Sequence, residues 1–177
     1  MEQLIVGKSL EMQLAALLDT LPSDATVSYM VTRLNEGEEA TIVASSKETI
    51  VHTGASMVKT LILEYVFHLA AQEQLDLNDT IALSRSPRVE GAGALMELVG
   101  NHSFSYLELC RLMMVLSDNW ATNLLMQALG MENINARAEQ LGLDHFEINR
   151  MMMDFKGAQE NRENYITALD MTKLLHH

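Results

Sequence analysis

His52-Thr-Gly-Ala-Ser56-Met-Val-Lys59-Thr60 leads into a run where Val58, Leu61, Ile62, Leu63, Val66, Phe67, Leu69 and Ala70 are apolar. Apolar residues almost all round predict a helix buried in the middle of a domain. If Ser56 opens that helix, Lys59 lies one turn on and on the same face. An amine then stands within reach of a hydroxyl. A serine hydroxyl is a weak nucleophile until a base takes its proton. A lysine becomes such a base when burial or a neighbouring cation lowers its pKa. The start of the helix adds free backbone N–H groups that can stabilise an oxyanion, the Ser56 N–H among them. Alone, Ser-x-x-Lys is a common pattern, expected on the order of once in a chain this long. It is equally the pattern of a helix cap beside a long surface lysine.

A second motif sits 61 residues after Ser56, in Leu116-Ser117-Asp118-Asn119-Trp120-Ala121-Thr122-Asn123. By composition, Ser-Asp-Asn is expected in roughly a few per cent of such chains. It falls between two helical patterns. A short polar turn there can present Ser117 and Asn119 to a cleft, while Asp118 or Asn119 caps the next helix.

Outward from these motifs, residues 3–19 read as an amphipathic helix stopped before Pro22. Residues 26–34 and 40–44 read as strands of a hairpin, turning at Asn35-Glu36-Gly37-Glu38. Residues 84–94 are rich in Ser, Pro, Gly and Arg and read as a loop. Ser105 and Glu108 form a capping box ahead of Leu109, Leu112, Met113 and Leu116. Gly130 and Gly142 mark two helix stops. Residues 144–164 read as a long loop, and Thr167 with Asp170 as the cap of a last helix. Two strands alone make a poor sheet, so an edge of this hairpin lacks a partner in the chain.

Composition removes several functions. Asp and Glu number 24 against 12 Lys and Arg, a net charge of −12. That surface repels phosphate backbones and anionic bilayers, so neither a nucleic-acid nor a membrane partner is expected. The single cysteine, Cys110, allows no internal disulfide and reads as a core residue. The six histidines form no zinc pattern, so no metal and no organic cofactor is expected. The N-terminal residues carry no secretory signal. The chain as it stands reads as cytoplasmic, and as secreted if a leader has been removed.

Ser-x-x-Lys with Ser-Asp-Asn, in this helical setting, resembles the class A β-lactamase and penicillin-binding protein superfamily. The likeness runs on through Arg150-Met-Met-Met-Asp-Phe and Arg162-Glu-Asn-Tyr to the final helix. It implies an α+β fold: a helical subdomain, plus an N-terminal helix and antiparallel hairpin that belong to a larger sheet. It implies that Ser56 is the acylated nucleophile and Lys59 its base. Ser117 would relay a proton to the leaving nitrogen, and Asn119 would bind the substrate's side-chain amide. The implied substrate is a β-lactam or related amide or ester.

Two departures follow from the same likeness. Class A enzymes place a glutamate two residues after an arginine of the long loop to activate water. With Arg150 as that arginine, the position is Met152, and neither Glu147 nor Asp154 fits the spacing. Slow deacylation is expected. The signature Lys-Thr-Gly does not occur, so residues 1–177 read as one domain truncated before that strand, whose C-terminal strands are absent. The isolated chain is then a poor catalyst, open to self-association or complementation through its hairpin edge. The alternatives are a non-catalytic interaction protein on the same fold and a D-Ala-D-Ala carboxypeptidase relative.

Overall fold

The computed structural model describes residues 9–34 and 40–177. In chain order the elements are α1 (Leu10–Leu18), β1 (Tyr29–Arg33), β2 (Thr41–Ser46), β3 (His52–Thr53), α2 (Lys59–Ala71), β4 (Thr80–Ala82), β5 (Ser103–Ser105), α3 (Tyr106–Val115), α4 (Asn119–Leu129), α5 (Met131–Gln140), α6 (Phe155–Gln159), β6 (Tyr165–Ile166) and α7 (Ala168–His176). The fold is α+β, as expected. It divides into two compact units, one of residues 52–166 and one of residues 1–51 with 167–177.

In the smaller unit, β1 and β2 form the expected antiparallel ribbon, with Tyr29 opposite Ser46 and Arg33 opposite Thr41. A bulge between Val31 and Thr32 shifts the register. Such an extra residue bends a strand and strengthens its twist. Ser9 caps α1. The expected start of that helix, residues 3–8, and the turn at 35–38 lie outside the described residues. Thr167 caps α7 by accepting from the Asp170 N–H at 3.0 Å. α7 lies against β1, and α1 against β2.

The larger unit is helical around α2. Its buried face runs through Val58, Leu61, Ile62 and Val66, an i, i+3, i+4, i+8 stripe. α3, α4 and α5 pack around it. Phe67 remains 44% exposed, so α2 is not buried on every side as its composition predicts. The packing helices cover one stripe and leave the opposite face open. Arg137 on α5 grips the Glu64 carboxylate of α2 with two nitrogens, the shorter contact 2.5 Å. A planar guanidinium matches a carboxylate in this way, so the pair fixes register as well as charge. Cys110 lies buried on α3, and burial pushes its thiol up to about 11. It therefore stays protonated and unreactive at neutral pH.

The Ser105–Glu108 capping box forms in full. Two three-residue strands, β4 and β5, also pair antiparallel where no strand is predicted. They are too short to show alternation, and each finds its partner far along the chain.

Candidate active site

Ser56 does not open the α-helix. It lies in a 3-10 turn, Ala55–Val58, and α2 begins at Lys59. The change improves the alignment expected from the spacing. With three residues per turn, side chains at i and i+3 eclipse. Lys59 Nζ donates to Ser56 Oγ at 3.1 Å.

The second motif arrives from the turn between α3 and α4. Ser117 takes a left-handed backbone, φ 52°. This conformation is strained for a residue with a side chain, and such strain persists only where the surroundings enforce it. It aims both oxygens of Ser117 at the lysine: Lys59 Nζ donates to the carbonyl at 2.7 Å and to Oγ at 2.8 Å. The Ser56 and Ser117 hydroxyls are 3.0 Å apart, and Asn119 Oδ1 accepts from Lys59 at 3.2 Å. Ser56, Lys59, Ser117 and Asn119, the four residues singled out by sequence, thus meet in one cluster.

Four oxygens surround Lys59 Nζ, and an ammonium has three protons. The Ser117 carbonyl and Asn119 Oδ1 can only accept. In its neutral form the amine would give them its two N–H bonds and turn its lone pair to a hydroxyl proton. Lys59 is 2% exposed. Desolvation lowers its pKa below the ordinary 10.5, and the Asp118 charge opposes part of that shift. The arrangement can draw the proton from Ser56.

Asp118 builds the frame. It is 1% exposed and caps α4 by accepting from the Ala121 N–H at 2.9 Å. Its other oxygen accepts from the Ala94 and Leu95 N–H groups at 2.7 and 2.9 Å. The Asn119 N–H donates to the Ala92 carbonyl at 3.0 Å, tying the same loop down. This approach requires glycine at position 93. Its φ is +122°, and a Cβ there would overlap the Asp118 carboxylate and stand 2.6 Å from Asp118 Cα. Removing the Asp118 side chain leaves three backbone donors without their acceptor. Asp118→Ala is therefore expected to destabilise the protein by about 3–5 kcal/mol. Urea denaturation checks this: the midpoint should fall, and an unchanged midpoint contradicts it.

The long loop is held by asparagines that sequence reasoning left without a role. Asn123 Oδ1 accepts from the Met152 N–H at 2.8 Å, and its Nδ2 donates to the Met152 carbonyl at 3.0 Å. Asn164 Oδ1 accepts from the N–H groups of Asn149 and Arg150 at 2.8 and 3.0 Å. Asn164 Nδ2 donates back to the Arg150 carbonyl at 3.1 Å. Arg150 pairs with Glu163 at 2.8 Å. The only sequence signal was Asn123 itself, four residues and so one helical turn from Asn119.

With this geometry in place, the comparisons with known proteins fall into line. The profile of the β-lactamase enzyme family matches residues 9–177, and the chain belongs to that family. β-Lactamase BRO-1 of Moraxella catarrhalis is 30% identical over 141 residues, covering 75% of this chain and 43% of that protein. The chain thus spans less than half the length of this relative. A solved β-lactamase of Sphaerobacter thermophilus is 26% identical with a TM-score of 0.72, covering 84% of this chain and 54% of that one. A leucine-to-glutamate variant of PBP-A, solved as its acyl-enzyme complex with penicillin G, is 26% identical with a TM-score of 0.76. That match covers 93% of this chain and 59% of that one.

Proposed function

We propose that this chain carries the acylating centre of a serine hydrolase of β-lactamase type, acting on a β-lactam or related amide or ester. The observation that carries the reading is the closed triangle of Ser56 Oγ, Lys59 Nζ and Ser117 Oγ, with no side longer than 3.1 Å. Neutral Lys59 takes the Ser56 proton as Oγ bonds to the substrate carbonyl carbon. The Ser56 N–H, in the first turn before α2, helps to hold the oxyanion. As the carbon–nitrogen bond breaks, Ser117 gives its proton to the leaving nitrogen and regains one from Lys59. The product of this step is acyl-Ser56, with the proton count unchanged. Asn119 Nδ2 is available to bind the carbonyl of the acyl side-chain amide.

Hydrolysis of that ester needs a base for water. Asn123 fixes Met152 at the position where the resemblance expects a glutamate, and a thioether takes no proton at neutral pH. The acyl-enzyme is therefore long-lived. A fluorescent penicillin tests the reading. The native chain should carry label through a denaturing gel, and Ser56→Ala should not. Label retained by Ser56→Ala, or native protein left unlabelled, contradicts it.

Among the described residues β1 and β2 pair only with each other. That supports strand addition at the ribbon edge, by a second copy or by a complementing segment. Sedimentation that shows no concentration-dependent association of the chain would favour the complementing segment.

A further inference from the structure

A cavity of about 390 Å³ opens beside the second half of α4, lined by Ile81, Arg85, Leu124, Gln127 and Ala128. None of these five residues belongs to the Ser56 cluster. Ile81 and Leu124 are 2% and 1% exposed and form an apolar floor. Arg85, Gln127 and Ala128 are exposed and form the rim. β4 supplies Ile81, and the 3-10 turn Leu83–Arg85 that follows it supplies Arg85. On α4, Trp120, Leu124, Gln127 and Ala128 stand at i, i+4, i+7 and i+8, so they share one face.

Among the described residues, no hydrogen bond or ion pair engages the Arg85 guanidinium or the Gln127 amide. The Tyr106 phenol feels the Arg85 charge, but burial raises its pKa, so it stays neutral and leaves the cation uncompensated. The chain as a whole carries a net charge of −12. Salt confines the repulsion from distant carboxylates to about 8 Å at physiological strength, so the near guanidinium decides which charge enters. A guanidinium fork matches a carboxylate, and a side-chain amide can add a further bond. The floor calls for an apolar body, and cavities of roughly 300–1,000 Å³ hold small organic ligands. One turn before Leu124, Trp120 is buried and its indole N–H has no acceptor among the described residues. A buried donor of that kind calls for a partner, which marks the same stripe of α4 a second time.

We propose that the cavity between β4 and the second half of α4, with Arg85 and Gln127 above Ile81 and Leu124, binds a small organic carboxylate with an aryl or alkyl body. The carboxylate pairs with Arg85, and the body covers Ile81 and Leu124. The site is separate from Ser56 and does not rest on its acylation.

The test is equilibrium dialysis of the native chain against radiolabelled 3-phenylpropionate. 3-Phenylpropan-1-ol serves as the body without the charge, and acetate as the charge without the body. The acid should bind saturably and at least about tenfold more tightly than either control. A tenfold difference corresponds to ~1.4 kcal/mol. Arg85→Gln should weaken the acid about tenfold and leave the alcohol unchanged. Ala128→Phe fills the mouth of the cavity and should abolish binding. Both positions are exposed, and a melting curve checks that each variant folds. Trp120 is the single tryptophan of the chain, so its emission reports the place. That emission should shift as the acid binds the native chain and stay unchanged in Ala128→Phe. No binding by the native chain, equal binding of acid and alcohol, or native affinity in either variant overturns the proposal. Binding that leaves the Trp120 emission unchanged puts the acid elsewhere and overturns it too. None of these results touches the acylation reading, which the penicillin label tests separately.

Discussion

Lys59→Met is expected to slow acylation of Ser56 by about 10³-fold or more. The reason is specific to the geometry. Lys59 Nζ contacts both hydroxyls, and among the described residues no other nitrogen is hydrogen-bonded to Ser56 Oγ. Methionine keeps the length and the burial of the side chain but offers no lone pair of comparable basicity. The Ser117 carbonyl and Asn119 Oδ1 lose a shared donor, which costs about 1–3 kcal/mol. A melting curve therefore accompanies the kinetics, so that lost chemistry is separated from lost fold. The native protein adds a pH signature. Burial lowers the Lys59 pKa, and acylation needs the neutral amine. The acylation rate should then rise with pH through that lowered pKa and level off above it. The Met variant should lose this limb. A rate that falls with rising pH, or a variant that acylates at the native rate, would remove Lys59 from the role of base.

The second large effect is expected in the opposite direction. Met152→Glu should speed breakdown of the acyl-enzyme by about 10²-fold or more. The backbone at 152 is held by Asn123 on both sides, so the new side chain leaves its anchor intact. Asn123 and Asn119 share a face of α4, and one helical turn is ~5.4 Å. The carboxylate therefore enters about one turn away from the residue that touches Lys59. Acylation should change little, because none of its contacts involves the Met152 side chain. The measurement is a chase: acylate with penicillin, remove excess, and follow the adduct by mass. Equal lifetimes in the native protein and in the Met152→Glu variant would show that the missing base is not what limits release.

The local parts of this account were legible in the sequence. The capping box at Ser105 and Glu108, the Asp118 cap and the Thr167 cap each rest on contacts within three residues, and each is present. The helix stops at Gly130 and Gly142 fall where expected, and both glycines have positive φ. Parts that depend on distant partners were not legible. Gly93 is required because Asp118, from a later segment, packs against its backbone. Gly91 is required by Asn119 and Met153, on two different segments. β4 and β5 are three residues each, too short for any period to show. Ser56 and Lys59 stand side by side as the spacing predicts, but a 3-10 turn and not an α-helix aligns them. The four site residues could be named because their motifs are compact. Their frame could not, because asparagines and glycines in loops carry no periodic signal.

If Ser56, Lys59 and Ser117 form a working nucleophile centre within this chain, Ser56 takes up a penicillin covalently. The measurement is intact mass spectrometry after incubation with penicillin G, with Ser56→Ala alongside. A single adduct with the mass of the intact penicillin is expected, persisting for hours in the native chain and absent from the alanine variant. An adduct on both proteins, or on neither, would contradict it.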